Sequence, residues 1–131
     1  MAATPEEALQ DAIDASGSLK LKKFRYTIHL PLHQVGLGPI QPEIYETEED
    51  VPEYRSDGWE ETNPKWVGST NELRSFEVVV RDENKVAYLI KAARFHADGT
   101  LMQTYDAIFT IANRNGDWRL ISRNPFNIRR A

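Results

Sequence analysis

The stretch from Lys85 to Asn124 decides the fold: KVAYLIKAARF (Lys85–Phe95), HADGT (His96–Thr100), LMQTYDAIFTIAN (Leu101–Asn113), then Arg114-Asn115-Gly116 and DWRLISRN (Asp117–Asn124). Asp98-Gly99 and Asn115-Gly116 supply the positive φ that tight hairpins require, so the three apolar runs read as strands of an antiparallel meander. A fourth run, Arg74–Val80, precedes them. Lys85–Phe95 and Leu101–Asn113 are longer than the usual strand of about five or six residues, so the sheet must twist, coil or bulge and acquires a concave side. Val86, Tyr88, Ile90 and Ala92 point one way, and Ala87, Leu89, Ala93 and Phe95 the other. Both faces are therefore apolar and both need cover, one from helices and the other from a partner subunit.

Upstream the pattern changes to helical. Thr4 can cap, Pro5 suits a first helical position, Glu7 completes a capping box, and Ala8, Leu9, Ala12 and Ile13 form an apolar stripe that Ser16-Gly17 ends. The next stretch fits two periods. Leu21, Phe24 and Ile28 have helical spacing, while Phe24, Tyr26, Ile28, Leu30 and Leu32 alternate as in a strand. Pro31 opposes helix beyond Leu30, and Gly36, Gly38, Pro39 and Pro42 predict a loop with at most a short strand near Ile44-Tyr45. Thr47-Glu48-Glu49-Asp50 looks like another helix start, with Pro52 inside that helix and Gly58 near its end. Residues 59–71 read as a loop anchored by Trp59 and Trp66.

The chain of 131 residues fits one domain and can bury a core of ordinary size. It has no cysteine, which excludes disulfides, thiolate nucleophiles and cysteine metal sites. Met1–Glu7 shows no signal-peptide pattern, and no apolar run approaches the ~18 residues of a membrane helix, so a cytoplasmic protein without a membrane partner is expected. Residues 43–61 carry nine acids against Arg55 alone, within a net charge of −4. That stretch repels phosphate and argues against nucleic acid as a partner.

The order of elements, with Arg94–Thr100, Tyr105–Phe109 and Gly116–Arg123 in the sheet, resembles the nuclear transport factor 2-like superfamily, which includes ketosteroid isomerases, scytalone dehydratase and SnoaL-like cyclases. His29-Leu30-Pro31 followed by Tyr45–Asp50 resembles the passage from helix to first strand to helix in such proteins and tilts residues 19–29 toward helix. The resemblance implies an α+β, cystatin-like, cone-shaped roll spanning residues 1–131. In it a strongly curved antiparallel sheet of four main strands plus a short one wraps around two to three N-terminal helices. It also implies an apolar pocket and a homodimer through the sheet. The catalytic motifs of the isomerases and cyclases are not reproduced here, so no residue role carries over.

Candidate residues are therefore read one by one. Asp106, among Tyr105, Ala107, Ile108 and Phe109, is either a buried acid–base group with a raised pKa or the partner of a neighbouring arginine. His29 is either a proton carrier at the pocket mouth or a structural histidine bonded to backbone. His29 and His33 have the spacing of helical metal ligands, but Pro31 between them opposes helix, and no metal site is expected. Tyr26, Tyr45, Trp59, Trp66, Tyr88 and Tyr105 can line a cavity or simply pack. Arg94 and Arg123, on adjacent strand ends, either make surface ion pairs or clamp an anionic ligand. No Gly-rich phosphate loop or nucleophile elbow is present. The reading is a small-molecule-binding protein that takes a small apolar molecule and uses no cofactor. The alternative is a lyase, isomerase or cyclase acting on an apolar carbonyl compound, with Asp106 or His29 as the acid–base group. Fold alone does not choose between them.

Overall fold

Thr4 opens the first element. Its hydroxyl accepts the Glu7 N–H at 3.2 Å, and the helix α1 (Pro5–Ala15) follows. Glu7 reaches back to the N–H of Ala3 at 3.1 Å, one residue before the partner a capping box would use. Ala8, Leu9, Ala12, Ile13 and Ala15 are buried, as the stripe predicts. Leu9 and Ile13 are fully buried, and each such side chain contributes about 1.5–3 kcal/mol of transfer free energy. The computed structural model describes residues 2–16, 24–35, 42–51 and 64–131.

Six strands form one sheet: β1 (Ile28–Val35), β2 (Pro42–Tyr45), β3 (Thr70–Arg81), β4 (Lys85–Phe95), β5 (Leu101–Arg114) and β6 (Asp117–Arg130). Their spatial order is β2-β1-β6-β5-β4-β3. β3 to β6 are the meander read from the sequence, with positive φ at Gly99 (88°), Asn115 (56°) and Gly116 (84°) at the two predicted turns. Register shifts interrupt the β3–β4, β4–β5 and β5–β6 ladders, the expected means by which long strands bend.

Four expectations are corrected. The described residues hold one α-helix and six strands, against two to three helices and four main strands plus a short one. Ile28 and His29 open β1 instead of closing a second helix, and helical backbone is confined to Phe24 and Arg25 within the described part of that stretch. The alternating period prevails because the edge of β6 offers β1 a hydrogen-bonding partner, and that partner lies far along the chain. The sheet is also mixed, since β1 runs parallel to β6. No hairpin joins these two strands, so nothing forces them antiparallel. The helix expected from Thr47 is a single 3-10 turn, Glu48–Asp50. There the Asp50 carboxylate accepts the N–H groups of Glu46 and Thr47 at 3.0 and 3.1 Å. Pro52, Gly58 and Trp59 lie outside the described residues.

α1 packs on the inner face of the sheet, formed by Val86, Tyr88, Ile90 and Ala92 of β4 with the facing residues of β5 and Leu120 of β6. The outer face is only half covered: Leu89 and Ile108 are partly buried and Phe126 is 51% exposed.

Candidate functional site

Arg94 continues the inward alternation of β4 past Ala92, between Asn71 of β3 and Gln103 of β5. It is 7% exposed. Nη1 donates to Ser69 Oγ at 2.8 Å and Nη2 to the Ser16 carbonyl at 2.5 Å, and the guanidinium carbon sits 4.5 Å from the Trp66 ring centre. α1 has no basic residue in its last turn. Arg94 thus supplies, from the sheet, the cation that the negative end of a helix favours. A hydroxyl, a carbonyl and an indole face are all neutral, and among the described residues no carboxylate pairs with Arg94. Burial lowers its pKa to about 10, with Tyr105 opposing the shift and Arg123 adding to it, so it stays cationic at neutral pH.

Arg123 of β6 lies opposite Gln34 of β1 and Phe109 of β5. Its Nε donates to Gln34 Oε1 at 2.6 Å, and its guanidinium carbon stands 4.4 Å from the Phe24 ring centre. Gln34 passes the link on, donating to Tyr45 Oη at 2.8 Å and to Glu43 Oε2 at 2.9 Å. The Ser16 hydroxyl stands 3.5 Å from Arg123 Nη1, so the end of α1 meets both arginines.

Tyr105 of β5, opposite Ala92, completes the cluster. The residue is 9% exposed. Its hydroxyl has no hydrogen-bond partner among the described residues. Burial pushes the phenol pKa up, while the charges of Arg94 and Arg123 pull it back. At neutral pH the group is a neutral O–H, able to donate.

The structure brings together five of the residues singled out in the sequence: Arg94, Arg123, Tyr105, Trp66 and, through Gln34, Tyr45. It separates the others. Asp106 points to the outer face, where it accepts from Asn127 Nδ2 at 2.9 Å and from Lys91 Nζ and Arg129 Nη2 at 3.3 Å each. The Asn127 amide above all, with Lys91 and Arg129, holds its carboxyl below the usual aspartate range against the effect of burial. Of its two readings it takes the ion-pairing one. His29 sits at the opposite end of β1 from Gln34, its Nε2 2.8 Å from the Asp117 carbonyl. That is the backbone-bonded arrangement, and burial lowers its pKa against the pull of that carbonyl. Tyr26 is 72% exposed. Tyr88 lies on the inner face, but beside Glu6 at the start of α1. There burial, followed by the Glu6 charge, pushes its phenol up to about 12 without a well-formed hydrogen bond. No group of three or more metal-binding side chains occurs among the described residues.

Gln34, Phe24, Ser16 and Ser69 belong to the cluster but are not among the candidate site residues drawn from the sequence. Gln34 follows Leu32 at strand spacing, and this alternation was the available signal, but Pro31 and the glycines after Val35 suggested a loop.

No protein-family model matches the sequence, nor does any curated protein. Solved structures do match. A protein of unknown function with a cystatin-like fold from Nostoc punctiforme superposes with TM-score 0.69 at 11% identity, covering 92% of this chain and 85% of that one. An NTF2-like protein from Cytophaga hutchinsonii gives 0.54 at 15% identity, over 92% and 89%. The chain has the nuclear transport factor 2-like fold. Hexachlorocyclohexane dehydrochlorinase LinA-type3 from Novosphingobium barchaimii shares it, with TM-score 0.66 at 10% identity over 96% and 86%. At these identities the likeness is one of architecture. No helix among the described residues is long and apolar enough to cross a membrane.

Proposed function

We propose that this chain binds a small, largely apolar molecule on the inner face of the sheet, at the end where Arg94, Tyr105 and Arg123 converge. One observation carries the reading: the buried Tyr105 has a hydroxyl with no partner among the described residues. The Tyr105 oxygen is not among the fully buried unpartnered polar atoms of the described residues, so the hydroxyl opens onto accessible space, where a ligand acceptor can take its hydrogen bond. Convergent polar groups among aromatic and apolar walls are the usual composition of a small-molecule site.

The test is a titration with small aromatic fragments followed by amide resonances. Binding here shifts the resonances of Ala92, Tyr105 and Arg123. Shifts confined to the outer face, at Asp106 and Phe126, would refute the placement.

The second reading, a cofactor-free lyase, isomerase or cyclase, draws support from the fold shared with the LinA-type dehydrochlorinase. Such chemistry needs a tuned acid–base group beside the bound molecule. Asp106 is engaged on the far face and His29 at the far end of β1, which favours binding over catalysis.

We also propose a homodimer through the outer face. Phe126, beside Asp106 in register, is half exposed next to Lys91 and Arg129. A half-exposed aromatic ring bordered by charged side chains has the composition of an interface centre and its rim. Light scattering at micromolar concentration should give two chains per particle, and one chain per particle overturns it. The cysteine-free sequence supports a cytoplasmic setting.

A further inference from the structure

We infer that the ligand carries a carboxylate, held between the Arg94 guanidinium and the Tyr105 hydroxyl; this rests on the inner-face reading above. A buried cation is ordinarily paired with an anion, because desolvation of an uncompensated charge is costly. Arg94 is 7% exposed, yet its contacts are Ser69 Oγ, the Ser16 carbonyl and the Trp66 ring. Two of its five N–H donors are thereby used, and the remaining donors have no acceptor among the described residues. Arg123 adds a second positive charge that acts on both Arg94 and Tyr105.

A neutral phenol contributes a donor and no negative charge, so Arg94 and Tyr105 together offer a cation and donors to whatever enters between them. The matching group is a planar acceptor with two oxygens, one for the remaining N–H groups of Arg94 and one for the Tyr105 O–H. Trp66 stacks against one guanidinium and Phe24 against the other, so both planes are held before a ligand arrives and less side-chain entropy is lost on binding. The body of the acid then lies along the apolar inner face beside Ala92 and Phe109, both buried on the same side of the sheet.

The experiment titrates the full chain with benzoate, benzamide and inorganic phosphate, read by amide shifts at Ala92, Tyr105 and Arg123, and repeats it on Tyr105→Phe. Benzoate is expected to bind at least about tenfold more tightly than benzamide and than phosphate, and Tyr105→Phe to weaken benzoate several-fold with an unchanged urea midpoint. Equal binding of benzamide at the same resonances overturns the carboxylate and leaves the inner-face site standing. Tighter binding of phosphate also overturns it, in favour of a tetrahedral oxyanion. Unchanged benzoate affinity in Tyr105→Phe removes the hydroxyl from the assignment and overturns the clamp as stated. No shift at these resonances with any of the three overturns both readings.

Discussion

The guanidinium of Arg94 lies over the face of Trp66 while its Nη2 bonds the Ser16 carbonyl just beyond α1. One side chain of the sheet thus closes the helix end and carries a positive charge that no carboxylate pairs among the described residues. Arg94→Met removes charge-assisted bonds worth about 1.5–3 kcal/mol each at most, but it also relieves a desolvated charge, and Asn71 Nδ2 still donates to the same carbonyl at 3.1 Å. The expected net loss is about 1 kcal/mol in urea unfolding. A loss above about 3 kcal/mol would mark Arg94 as a structural clip first and a ligand contact second.

Two tyrosines near the cluster should respond differently to the loss of a hydroxyl. Tyr45 Oη accepts from Gln34 and donates to Glu43, so Tyr45→Phe should cost about 1 kcal/mol. Tyr105→Phe breaks no bond among the described residues and should fall within about 0.5 kcal/mol of the parent. Paired chemical denaturation of the two variants checks the contrast.

Asp106 makes stability depend on acid. Its folded pKa lies below the ordinary 3.8, chiefly because Asn127, Lys91 and Arg129 favour the carboxylate. The stability it contributes is therefore fully present above 3.8 and is lost as pH falls through the folded value. The stability gap between the parent and Asp106→Asn should be constant near neutrality and shrink below that pH. A gap that persists undiminished at strongly acidic pH would mean the ion cluster contributes nothing.

His29 acts in the same direction at higher pH. Its folded pKa is depressed below 6.5, first by burial, so below 6.5 the unfolded chain binds more protons and stability falls on acidification. His29→Gln should flatten the decline between about pH 7.5 and 5.5, measured as urea midpoints across that range. An equally steep decline in the variant would assign it to other groups.

Gly68 is held at φ 72°, where an added Cβ would sit 2.9 Å from the Cβ of Ala97. Gly68→Ala combines left-handed strain of about 1–2 kcal/mol with that close contact. It should lower the thermal midpoint and, because Ser69 is the next residue, disturb the hydroxyl that receives Arg94. An unchanged midpoint would show that this turn yields freely.

The pattern read from the sequence succeeded where its cause is local. Thr4 and Pro5 announce α1, and Asp98-Gly99 and Asn115-Gly116 announce two hairpins, because capping and positive φ are properties of a few adjacent residues. Alternation along β4 and β5 put Tyr105 and Asp106 on opposite faces, but it could not say which face is inside. The stripe of α1 settles that by covering the side of Tyr88 and Ile90. Asp106 was therefore weighed as a pocket acid when it belongs to the outer ion cluster.

By itself, then, the chain's order of residues determined the meander, its bends and the first helix, because hydrogen-bond partners joined by short turns need no outside help. Only the tertiary structure decided that Ile28–Val35 is a strand and that Gln34, Arg123, Arg94 and Tyr105 share one corner. Those contacts join positions distant in sequence, and the choice between two allowed local periods is made by which distant edge has N–H and C=O groups to satisfy.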